Sequence, residues 1–147
     1  MKRLLAIVGT IVALYAMPAG AQIAPDEQNA ISGVVTIHSG FHKAKAVRND
    51  DGTCSGTGLR SDVLVGARVV VTDEGSNVIG TTTLDAGRVA RLVKRGKKAK
   101  FDCKFSFRTG ALPDSDEYWI GIGKLWGGAE LSRSEIDARG WVVEITV

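Results

Sequence analysis

The sequence predicts an all-β domain: an antiparallel β-sandwich with one disulfide and one short helix near the C-terminus. Three observations carry this prediction. Apolar and polar residues alternate with a period of two in most of the chain, as in strands that bury one face. Clusters such as Asp73-Glu74-Gly75-Ser76-Asn77 and Pro113-Asp114-Ser115-Asp116 separate the alternating runs, and these residue types form turns. Two cysteines, Cys54 and Cys103, stand far apart in a chain of 147 residues.

The first 21 residues read as a secretory signal peptide. Lys2 and Arg3 precede an uncharged, mostly apolar run from Leu4 to Tyr15, followed by Pro18 and the small-x-small site Ala19-Gly20-Ala21. That run falls short of the roughly 20 residues that span a bilayer, so no transmembrane segment is expected after cleavage. Residues 22–30 are polar, contain Pro25 and read as a flexible leader, and the sandwich is expected over 31–147.

Export puts the cysteines in an oxidising compartment, where a Cys54–Cys103 disulfide is the default. Closing a loop of about 50 residues contributes roughly 4 kcal/mol in the chain-entropy account. Loss of Lys2 and Arg3 leaves 17 basic residues against 16 acidic, a net charge of +1. Such a balance gives little long-range steering toward nucleic acid or membrane, so no specific nucleic-acid partner is expected.

The elements follow in order. Ile31, Gly33, Val35 and Ile37 share one face of a strand, with Ser32, Val34, Thr36 and His38 opposite. Ala67, Val69 and Val71 form a second strand, and Val78 to Leu84 returns from the Asp73–Asn77 turn to make a hairpin. Phe101, Cys103, Phe105 and Phe107 alternate with Asp102, Lys104, Ser106 and Arg108, which puts the cysteine on the core side. Tyr118, Ile120 and Ile122 mark the next strand, where Gly121 and Gly123 indicate a close approach or a bulge. Ser132-x-x-Glu135 is a capping box and Gly140 fits a helix C′ position. Trp141, Val143, Ile145 and Val147 end the chain as a strand. The 88–98 segment lacks an apolar stripe and reads as a long basic connection. Six or seven strands result.

The hairpin Gly66 to Asp73 and Val78 to Leu84, with Leu112-Pro113 leading into Tyr118-Trp119-Ile120, resembles transthyretin-like sandwich domains. These include the carboxypeptidase regulatory-like and Cna-B-type modules. A wider resemblance runs through Cys54-Ser55-Gly56-Thr57-Gly58, Cys103 to Phe107, Tyr118 and Ser132 to Trp141. Those segments look like small exported proteins of actinobacteria, a likeness that implies no activity. The resemblance implies a transthyretin-like or immunoglobulin-like sandwich. The final strand holds no Asn, so the Lys–Asn isopeptide bond of Cna-B-type modules is not implied. Fold analogy alone does not assign a function.

Candidate sites are few. As metal ligands His38 and His42 would need a third partner, for which nearby Asp50 or Asp51 could serve, but they read rather as exposed residues at a strand end. The Asn49-Asp50-Asp51-Gly52 cluster, with Asp62 beyond, matches no calcium loop and reads as a turn. There is no G-x-S-x-G elbow and no C-x-x-C, so neither an enzyme nor a cofactor or metal site is expected. The densest feature is basic: Arg88, Arg91, Lys94, Arg95, Lys97, Lys98, Lys100 and Lys104 fall within 17 residues, opposed only by Asp102. Outside a cell such a run suits anionic envelope polymers. Its plainer role is a charged segment that keeps strand edges apart. Trp119 and Trp126 lie off the apolar alternation and are candidates for stacking on a sugar or anchoring a protein partner. The expected function is an exported binding module, secreted, periplasmic or wall-associated. Its partner would be an anionic envelope polymer or a secreted or envelope protein. A small hydrolase using His38 or His42 is the last alternative.

Overall fold

The computed structural model describes residues 29–40, 45–96, 98–124 and 127–147, and these hold ten strands, one short α-helix and a 3-10 turn at Gly58–Arg60. The predicted signal peptide, most of the leader, His42, Lys97 and Trp126 lie outside the described residues. The strands are β1 (Ala30–Ser39), β2 (Ala46–Arg48), β3 (Thr53–Gly56), β4 (Arg68–Thr72), β5 (Val78–Thr83), β6 (Gly87–Arg95), β7 (Lys98–Ala111), β8 (Glu117–Ile122), β9 (Gly127–Ser132) and β10 (Val142–Thr146). Helix α1 spans Arg133–Ala138, between β9 and β10.

The strands form a β-sandwich. One sheet, here sheet A, has the order β10-β1-β7-β6-β3-β2, and the other, sheet B, has the order β5-β4-β8-β9. All pairings are antiparallel except β1 with β10, which is parallel. The exception follows from the route of the chain. After β9 in sheet B, α1 returns the chain to sheet A beside β1.

Alternation works as expected where one strand face is buried. Ile31, Val35, Ile37, Phe105, Phe107, Val143 and Ile145 of sheet A meet Val69, Val71, Tyr118, Ile120, Ile122 and Leu131 of sheet B in one core. The Cys54–Cys103 disulfide is formed, with both cysteines buried and their Cα atoms 5.9 Å apart. Cys54 lies in β3 rather than in a loop, and β6 stands between β3 and β7 in the sheet order. Two strand spacings would be about 9.5 Å, so sheet A curls inward at β3 and the disulfide staples the β2–β3 hairpin to the core.

Two expectations are corrected. Among the described residues there are ten strands rather than six or seven, because β2 and β3 are too short to show a period and β9 begins Gly-Gly. The 88–98 segment is not a connection. It is β6 and the start of β7, paired Arg88↔Lys104, Val89↔Cys103, Val93↔Lys100, Lys94↔Ala99 and Arg95↔Lys98. Beyond Ala90 the described β6 side chains are all exposed, so this half of β6 shows no buried face from which a strand could be recognised.

The C-terminal unit is built as its sequence implies. The Ser132 hydroxyl accepts from the Glu135 N–H, while the Glu135 carboxylate accepts from the Ser132 N–H at 2.9 Å. At the other end Gly140 takes φ +60, its N–H donates to Asp137 O, and the Trp141 N–H donates to Ile136 O at 2.9 Å. That pair of bonds is a Schellman closure. The Trp141 ring packs edge-on against Tyr118 with centroids 5.5 Å apart, beneath the Arg133 guanidinium. The buried Tyr118 hydroxyl donates to Pro113 O and accepts from the Ser115 N–H, both at 3.1 Å. These bonds fasten the Pro turn to β8.

Candidate functional sites

The basic run lies on the β6–β7 ribbon. β7 alternates strictly, so Lys100, Asp102, Lys104 and Arg108 project from the outer face of sheet A while Phe101, Cys103, Phe105 and Phe107 point inward. The register sets Arg88 directly opposite Lys104 on that outer face. Like charges facing each other across a ladder are unfavourable, and this pair forms part of an exposed cationic strip with Lys100.

The one carboxylate in the strip is otherwise engaged. Asp102 is only 5% exposed. Its Oδ1 lies 2.6 Å from Nδ1 of His38, directly across the β1–β7 ladder. Among the described residues, Arg88, Arg91, Lys94, Lys100 and Lys104 form no ion pair. They are therefore available to an external anion.

The run is not a single patch. Arg91 and Leu92 stand opposite Phe101 as a bulge, two residues facing one. Arg91 takes φ +52 there, a left-handed backbone that costs a non-glycine residue roughly 1–2 kcal/mol. Lys94 alternates with Val93 and so projects to the other side of the ribbon from Lys100. Arg95 and Lys98 pair near its end, but their side chains, like Lys97, lie outside the described residues. Arg88, Lys100 and Lys104 thus form one strip, with Arg91 and Lys94 farther along β6 toward the ribbon tip.

A second surface lies on the outer face of sheet B. Trp119 is 49% exposed, and its ring folds back over Gly121, where an added Cβ would meet the ring at 2.9 Å. The bare glycine backbone at 121 seats the indole, which any added side chain there would displace. The ring floors an open groove of about 410 Å³ rimmed by Asp73, Glu74, Glu117 and Glu130. Glu130 is directly opposite Trp119 in the β8–β9 register, and Glu117 is two residues earlier on the same face. Asp73 is held below its ordinary carboxylate value mainly by the Asn77 side chain, and Glu74 by the Ser115 hydroxyl. Sequence reading singled out the Trp but missed this acidic rim, which only the β4–β5 turn and the β9 register assemble.

Other polar clusters are structural. Asp51 accepts from the Thr53 backbone and hydroxyl in the β2–β3 turn. Arg133 bonds Asp114 and Asp137, which together raise its pKa and tie α1 to the turn before β8. Among the described residues, no three His, Cys, Asp or Glu side chains gather in a way that could hold a metal. Comparison with known proteins finds no matching family model, curated protein or solved structure.

Proposed function

We propose that this is an exported, non-enzymatic binding module that takes up anionic envelope polymers on the outer face of sheet A. Arg88, Lys100 and Lys104 are the main contacts, and Arg91 and Lys94 add charge toward the ribbon tip. What supports this reading is the placement of Arg88 opposite Lys104 while Asp102 is held by His38. A sequence that tolerates such a local conflict in the fold points to a use for it. The β6–β7 ribbon is stapled close to its base by the Cys54–Cys103 disulfide, so the strip is presented on a rigid frame. The reading also places the chain among small exported sandwich proteins of transthyretin-like type, acting at the envelope, in the periplasm or in the medium.

Retention on an immobilised acidic polysaccharide tests it. Attraction between exposed charges falls steeply as the screening length drops from about 30 Å at 0.01 M salt to about 3 Å at 1 M. The protein is expected to be retained at low salt and released as salt rises. Changing Arg88, Lys100 and Lys104 to Ser is expected to abolish retention. The charge-matched control, Arg68, Lys124 and Arg139 to Ser, is expected to keep it. Equal loss in both variants would reduce the effect to net charge and reject the strip.

A second reading rests on the exposed Trp119 ring lying flat over Gly121. Such a plate suits an interaction with a sugar or a protein. It predicts retention that salt does not weaken and that Trp119→Ala removes.

A further inference from the structure

The two surfaces are complementary to each other. Toward its tip, but short of the turn after Arg95, β6 reads Arg91-Leu92-Val93-Lys94, with Leu92 40% and Val93 51% exposed between two exposed cations. The groove on sheet B offers the inverse, an exposed indole flanked by Asp73, Glu74, Glu117 and Glu130. Leu92 laid on the indole would leave Lys94, two residues on along the same face of the strand, facing carboxylates, and a cation near a Trp face is itself attracted. β3 meets β6 only at Gly87 and Arg88, so the tip beyond them stands clear on that edge. Tip and groove belong to different sheets.

We infer that the protein associates head to tail, the β6–β7 tip of one copy docking into the Trp119 groove of the next. Donor and acceptor are different surfaces, so the contact is heterologous and adds further copies without closing on itself. A contact confined to four ribbon residues and one groove is small, at the weak end of specific interfaces below about 1,200 Å². Association therefore depends on concentration and on low salt. An anionic polymer that covers Arg91 and Lys94 competes with it.

Sedimentation velocity of the purified protein over a concentration series tests this. At about 0.01 M salt the weight-average mass is expected to rise at least about twofold with concentration, and at about 1 M salt it is expected to stay monomeric. Trp119→Ala is expected to be monomeric throughout, as is Glu117→Gln with Glu130→Gln, a pair that leaves the indole and its glycine seat intact. Arg91→Ser with Lys94→Ser is expected to be monomeric too. Mixing the Trp119→Ala protein, which keeps its tip, with the Arg91→Ser/Lys94→Ser protein, which keeps its groove, should give dimers and nothing larger. A protein that stays monomeric at low salt overturns the inference, as does association that survives in the Trp119 or Glu117/Glu130 variants. A mixture that stays monomeric does so as well. Polysaccharide retention by the Trp119→Ala protein separates the two claims: it is expected to persist whether or not self-association is found.

Discussion

His38 sits half in solvent near the end of β1, yet its imidazole holds a carboxylate that is almost out of water. A buried carboxylate deprived of its partner bears its full desolvation cost. His38→Ala is therefore expected to destabilise the fold by about 1–3 kcal/mol, measured by chemical denaturation, whereas Ser106→Ala on the same outer face should change little. Sequence reading put Asp102 on the outer face and His38 at a strand end, and both positions hold. It could not show their pairing, because their separation of 64 positions is bridged only by the β1–β7 register. Trp119 was legible as an odd residue in an alternating strand for the opposite reason: the signal is local, one aromatic two residues before a glycine.

Helix α1 shows how far local chemistry reaches. Its cap, its Schellman end and its length were all readable, since each depends on residues within one turn. Ser132→Ala removes the cap and is expected to cost about 1 kcal/mol. Glu135 is held below its ordinary value of 4.5, chiefly by the Ser132 backbone N–H and hydroxyl. A depressed carboxylate contributes stability above its unfolded pKa and loses it as pH falls through the folded one. Thermal melts should therefore show a smaller loss of Tm between about pH 6 and about pH 3 in Glu135→Gln than in the parent protein. β6 is the contrasting case. Its outer half is exposed on both sides, so neither a period of two nor one of 3.6 is written in its hydrophobicity. Only pairing with the strongly patterned β7 makes it a strand.

At the scale of the whole molecule, two unequal sheets share one core, and a cationic ribbon stapled near its base runs out from it. Replacing both Cys54 and Cys103 with Ala is expected to destabilise the fold by about 2–5 kcal/mol, seen as a lowered denaturation midpoint. Binding measured well below that midpoint should persist if the strip is set by the β6–β7 register alone. The sandwich class, the hairpin of β4 and β5, and the disulfide were legible because each is fixed by a core-facing alternation or a forced pairing. The order of strands, the parallel β1–β10 pair and the acidic rim around Trp119 were not, because they depend on how the two sheets are laid together. The account turns on which face meets the polymer, and amide chemical-shift mapping of the monomeric Arg91→Ser/Lys94→Ser protein during titration with an acidic oligosaccharide reads that face directly. It predicts perturbations concentrated at Arg88, Lys100 and Lys104 and abolished by high salt, with the β8–β9 face unmoved. Perturbations centred on Trp119 and Glu130, or none at any concentration, would contradict it.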